Sequence, residues 1–155
     1  MITDSLGALL QELGKALKIP DLHPDRNNSC LISLPNGLKV QIELDKSGSC
    51  ITIGTDIGFV PPGRYRENVF REALKANGQP YPQRNGILAY SRQADRLVLF
   101  EMLSLKDLTG EKIASALALL NEKALIWKEA LARGDVPVVS SSGTSRPMGM
   151  FGMRP

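Results

Sequence analysis

The sequence predicts an α+β fold in which a twisted antiparallel sheet packs with helices, and three observations predict it. Apolar residues recur at helical spacing at Ile2, Leu6, Leu9, Leu10, Leu13 and Leu17, again over residues 64–77, and along a long stretch ending near Arg133. Between these stretches lie strand-like runs at residues 31–34, 38–44, 51–57, 87–90 and 96–103. Asn36-Gly37, between the first two runs, supplies the positive φ angles of a tight hairpin. The order is therefore α-β-β-β-α-β-β-α, in a domain over residues 1–134 followed by a flexible tail over 135–155.

Each element has its own local cause. The first helix has Thr3 or Asp4 as its cap and stops before Pro20, because a residue preceding proline avoids the α region. In the second strand Leu38, Val40, Ile42 and Leu44 alternate with Lys39, Gln41 and Glu43, so one sheet face is buried and the other meets water. Ile51 and Ile53 repeat the pattern, and the first three strands form a meander. Gly58 to Gly63, with Pro61-Pro62, breaks the sheet pattern. The second helix then presents Tyr65, Val69, Phe70, Ala73 and Leu74 on one face and ends at Asn77-Gly78. Pro80-Tyr81-Pro82 makes the connection after it extended.

The fifth strand differs from the second. Leu97, Leu99 and Leu103 point one way while Val98, Phe100 and Met102 point the other, so both faces want cover. The chain's own helix covers one; the second helix or a second copy is available for the other. In the last helix Ile113, Leu117, Leu120, Ala124, Trp127 and Leu131 form a stripe, helped by alanines, by the Glu129–Arg133 pair and by Gly134 as C-terminal cap. After Val136 the composition turns to Ser, Gly, Pro and Met, with no periodicity. Met148, Met150, Phe151 and Met153 make an adaptable apolar hook there.

Composition narrows the function classes. A chain of 155 residues buries roughly 70% of its unfolded surface and needs neither disulfide nor metal to hold it. Asp4 and Glu12 stand where a secretory signal would carry basic and apolar regions, and no apolar run is long enough to span a bilayer, so a cytoplasmic location without membrane insertion is expected. The sequon at Asn27-Asn28-Ser29 is then without meaning. Cys30 and Cys50 read as small, unreactive core residues. With His23 as the single histidine and no Cys-x-x-Cys, no metal site is expected.

Charge is uneven. Residues 1–60 hold 5 basic and 7 acidic side chains, net −2; residues 61–100 hold 7 and 3, net +4; the remainder hold 7 and 6, net +1. Arg64, Arg66, Arg71, Lys75, Arg84, Arg92 and Arg96 make the middle basic, either as a solvated helix face or as a patch for an acidic partner, with Arg66 and Arg71 at its centre. Nucleic acid is not expected, because the first three strands carry none of the aromatics of an RNA-binding sheet. No phosphate loop, dinucleotide fingerprint or nucleophile elbow occurs, and His23 has no nucleophile partner, so neither catalysis nor a cofactor is expected.

The element order, the leucine-rich first helix, the hairpin LPNGLKVQIEL, the strand RLVLFEML and the closing long helix together resemble the class I type III secretion chaperones, including the Tir-chaperone-like, multi-effector members. The resemblance spans roughly residues 3–133. It implies a cytoplasmic homodimer that binds the N-terminal segment of a secreted effector in extended form and keeps it export-competent. The basic middle suits an acidic cargo or, as a further partner, a component of the secretion apparatus. Carried over by position, the cargo surface comprises Leu13, Leu17, Leu31, Leu34, Val40 and Ile42, each of which also reads as ordinary core. The dimer contact falls to Val69, Phe70, Leu74, Leu88 and Tyr90. Two features depart from the family: its members are typically acidic, whereas this chain has a pI near 9.0, and the tail is long and methionine-rich. A nonsecretory protein-binding adaptor of the same fold is the alternative reading, with an RNA-binding module ranked lower.

Overall fold

The computed structural model describes residues 2–80 and 86–139. Its elements are α1 (Ile2–Leu17), β1 (Ser29–Ser33), β2 (Lys39–Leu44), β3 (Cys50–Phe59), α2 (Arg64–Asn77), β4 (Ile87–Ser91), β5 (Arg96–Ser104) and α3 (Gly110–Arg133), in the order the sequence predicts. The strands form one antiparallel sheet ordered β1-β2-β3-β5-β4, so β1 and β4 are its edges.

Alternation within the strands decides the layers. Ile32, Val40, Ile42, Ile51, Ile53, Leu97 and Leu99 are buried on one face, where they share a single core with Leu6, Leu10 and Leu13 of α1, Val69 and Ala73 of α2, and Ile113, Leu117, Leu120 and Trp127 of α3. Each such leucine or isoleucine contributes roughly 1.5–3 kcal/mol through its removal from water. The other face stays open. A row running Leu31, Gln41, Gly54, Phe100, Ile87 crosses it from edge to edge. Val98, Phe100 and Met102 therefore lie on the uncovered face, and among the described residues no helix supplies the second cover that β5 asks for.

Four local details differ from expectation. The hairpin after β1 is a three-residue loop: Leu34 and Leu38 pair (N–H to O, 2.8 Å), and of the turn residues only Gly37 takes a positive φ, of 88°. Proline at the first loop position fits such a loop, a turn followed by a left-handed residue, rather than the two-residue turn. β3 runs on through Gly58 to Phe59 because a bulge between Asp56 and Gly58 absorbs the break. α2 does end at Asn77, but Gly78 keeps helical angles (φ −85°) and donates to Leu74 and Lys75 carbonyls. α1 begins at Ile2, so Thr3 and Asp4 stand inside the helix rather than capping it. Gly134 caps α3 as expected, left-handed at φ 75°, and at the other end of α3 the Thr109 hydroxyl accepts from Lys112 N–H at 3.2 Å.

After Gly134 the chain turns back as a strap over residues 135–139. The Tyr65 hydroxyl donates to the Asp135 carbonyl at 2.8 Å, and Val139 N–H donates to the Glu72 carboxylate at 3.1 Å. Val136 and Val139 pack against the core. Lys75, hydrogen-bonded at 3.0 Å, and then the Val139 N–H hold the Glu72 carboxyl below the usual glutamate range. A lowered folded-state pKa contributes stability that is complete above the unfolded value of about 4.3 and lost as pH falls through the folded value. Amide-exchange protection at Val139 is therefore expected to fall away as the pH drops below the ordinary glutamate range and through the lowered Glu72 value, before the core amides lose theirs; protection that persists in acid while the core stays folded would mean packing alone holds the strap. Met148, Met150, Phe151 and Met153, like Tyr81-Pro82, lie outside the described residues.

Candidate functional site

The two sheet edges differ chemically. In β4 the Asn77 side chain from α2 takes both backbone groups of Leu88: its Nδ2 donates to the Leu88 carbonyl and its Oδ1 accepts the Leu88 N–H, each at 2.8 Å. That edge is plugged at its second residue. In β1, Ser29 is likewise engaged, by Asp25 N–H at 2.8 Å and by the Asp25 carboxylate at 3.0 Å. Ladder alternation then turns the N–H and C=O of Leu31 and Ser33 toward the same outer side, where no strand of the described residues lies. Unpaired edge groups of this kind are a template for another chain.

Apolar surface flanks that open edge on both sides. Leu31 is 62% exposed on the open sheet face, beside Lys39, Gln41, Gly54 and Phe100. On the helix side Leu17 and Leu34 line a groove with Ala114, Leu117, Ala118 and Asn121 of α3. Asn36 Nδ2 donates to Asn121 Oδ1 at 2.7 Å and pins the hairpin tip to α3, which fixes one wall of the groove.

Of the residues the resemblance assigned to cargo, Leu17, Leu31 and Leu34 stand at this surface. Leu13, Val40 and Ile42 do not: all three are 0% exposed in the core, because alternation points them inward. They support the surface and cannot touch a partner without unfolding. The groove's α3 wall was missed in the sequence, where Ala114 and Ala118 read only as helix formers; their spacing of four places two short side chains on one flank of the α3 stripe, which is what leaves room there.

At the other end of the sheet, α2 and β4 present Phe70, Leu74, Leu88 and Tyr90 around one hollow. Leu74 is 71% exposed, and the Phe70 and Tyr90 rings pack tilted with centroids 5.0 Å apart. Val69 and Leu88 are buried within the protomer and lie beneath this face rather than on it.

Arg66 is not the free cation the charge count suggested. Its guanidinium donates to the Val60 carbonyl, lies 5.1 Å from the Tyr90 ring centroid and sits 3.7 Å from Asp95, to which the Tyr90 hydroxyl also donates. Asp95 holds the Tyr90 phenol above its ordinary pKa. Arg96 pairs with Asp56 and Lys75 with Glu72 in the same way. Three of the seven basic residues of the middle are thus paired within the fold, while Arg64, Arg71 and Arg92 are exposed; of the two proposed patch residues only Arg71 is exposed. Burial and the nearby Asp25 push the Cys30 thiol up. Among the described residues no cluster of His, Cys, Asp or Glu could hold a metal, and no helix is long and apolar enough to cross a membrane.

An open strand edge bordered by apolar side chains, on an α-β-β-β-α-β-β-α scaffold, is the geometry of a protein-binding module. Residues 8–128 match the Tir chaperone protein (CesT) family, and the chain belongs to that family. Among solved structures, the fold is similar to the ExsC–ExsE complex (TM-score 0.70, 18% identity, 83% of this chain and 95% of that chain). It is also similar to the Yersinia pestis type III secretion chaperone SycH bound to a fragment of YscM2 (0.62, 16%, 79% and 98%) and to the HopA1–SchA chaperone–effector complex (0.65, 16%, 82% and 97%). No curated protein matches the chain.

Proposed function

We propose that this protein is a cytoplasmic, homodimeric type III secretion chaperone that holds the N-terminal segment of an effector in extended form, without catalysis or cofactor. The observation that carries the reading is the open β1 edge at Leu31 and Ser33. An extended segment added there takes main-chain hydrogen bonds from the edge, and its alternate side chains fall on Leu31 to one side and on the Leu17–Leu34 groove to the other. Family membership and the complexes of SycH with a YscM2 fragment and of SchA with the effector HopA1 support it. A segment bound this way stays unfolded, which suits export.

The test is co-expression with N-terminal effector segments, followed by size exclusion with light scattering and titration. Ser33→Pro removes an outward N–H that the β1–β2 ladder does not use, and an edge strand tolerates proline; Leu31→Asp charges the apolar flank. Each is expected to weaken effector binding by about tenfold or more, the scale of a lost central contact, with the melting temperature little changed. Binding that both variants leave intact would remove the β1 edge from the site, and a wild-type chain that takes up no effector segment would favour the nonsecretory adaptor.

A further inference from the structure

Leu119 and Ile126 of α3 are 47% and 59% exposed although the helix has an ample buried stripe elsewhere. With Lys123 they share one helix face, at i, i+4 and i+7. The Lys123 ammonium reaches the Gly86 carbonyl at 3.4 Å, so this face looks toward the start of β4. Ala130, one turn further along the same face, is buried, though it stands outside the core cluster. Its carbonyl accepts the Asp135 N–H at 2.8 Å where the chain turns back.

The strap sets a direction. Leu131 of α3 lies against Gly58, at the end of β3 just before α2 begins, whereas Lys123 lies by Gly86, near the end of α2. The two helices therefore run in opposite senses. The strap passes from Tyr65 to Glu72, forward along α2 and hence backward along α3, on a course from Ala130 toward Ile126 and then Leu119.

We propose that the apolar tail segment containing Met148, Met150, Phe151 and Met153 docks on its own chain over Ile126 and Leu119, extending the strap into a tethered cover for this flank of α3. The linker between Val139 and Met148 is eight residues, mostly Ser, Gly and Thr, with a root-mean-square reach of about 14–17 Å. Seven residues of α3 separate Leu119 from Ile126, about 10 Å of helix, so the tether spans both without stretching. A tether this short holds its end at an effective concentration in the millimolar range, so a contact too weak to matter between molecules is populated within one. Methionine suits a shallow surface of this kind, being flexible and polarisable. The strap and the Phe70–Leu74 face occupy opposite flanks of α2, so the cover and the dimer contact coexist.

The experiment uses the full chain with 13C-methyl methionine. The chain has five methionines, three of them in the tail. The three tail methyl signals are expected away from their random-coil position, at shifts independent of protein concentration. They return to it in Leu119→Ser/Ile126→Ser, while Trp127 fluorescence stays that of the folded chain. Random-coil signals in the unmodified chain, or displaced signals that the double variant leaves in place, would overturn the proposal. Signals that move on dilution would do so too, by assigning the contact to a second copy. Effector binding enters none of these readouts, so the proposal and the chaperone reading fail separately.

Discussion

Gly110→Val is expected to destabilise the protein by about 3 kcal/mol, lowering the melting temperature by roughly 6–12 °C for a chain of this size. A Cβ at Gly110 would stand 2.5 Å from Glu12 Cβ, 2.6 Å from the Glu12 carbonyl carbon and 2.6 Å from Leu13 N. Two of those three atoms are backbone, so no rotamer change relieves the clash; α1 itself has to move. The crossing is fastened at the same point by the Gly110 N–H, which donates to the Glu12 carboxylate at 2.9 Å. Moving α1 also shifts Leu17 away from Leu34 and Ala118, so effector affinity is expected to fall with stability. Gly7→Ala in α1 is the internal control. Nothing lies within 4 Å of a Cβ there, and the helix should gain about 0.5–1 kcal/mol. Urea melts of the two variants decide the matter: similar effects at both positions would mean that α1 and α3 do not depend on close approach at Gly110.

The sequence made the scaffold legible because its cues are local. Alternation in Leu38 to Leu44 fixed which face of β2 is buried, and the six-residue stripe of α3 proved to be the stripe that packs. What it hid are long-range polar contacts. Nothing local to Asn77 shows that its amide closes the edge of β4 eleven residues on, and nothing in the charge count shows that Arg66 is bound to Val60 and Asp95. The same blindness affected the cargo surface. Leu13, Val40 and Ile42 look like Leu17, Leu31 and Leu34 by residue type, and only burial separates the supporting set from the exposed one. Truncating a member of the first set, such as Ile42→Ala, costs roughly 2–5 kcal/mol of stability and says nothing about binding.

Leu74→Asp is expected to convert the protein from dimer to monomer without unfolding it. The plug at Asn77 keeps β4 from continuing its sheet into a second copy at Leu88, so association at this end has to come from side chains, and Leu74 is the most exposed apolar side chain of the face. A two-fold interface brings the same residue in from both copies, so one substitution places two carboxylates in a surface that offers Phe70 and Tyr90 as neighbours. Leaving buried charges unpaired costs several kcal/mol, and about 4 kcal/mol is a thousandfold in Kd. Light scattering should then report the mass of one chain at concentrations where the unmodified protein reports two. The choice of Leu74 over Phe70 is deliberate: Phe70 packs on Tyr90 within the protomer, and its loss confounds folding with association, whereas Leu74 is mostly in solvent until a partner arrives. Leu74→Met preserves apolar volume and should preserve the dimer. If Leu74→Asp still runs at twice the chain mass, the copies meet elsewhere, and the open sheet face, where Met102 is 56% exposed, is the next surface to test.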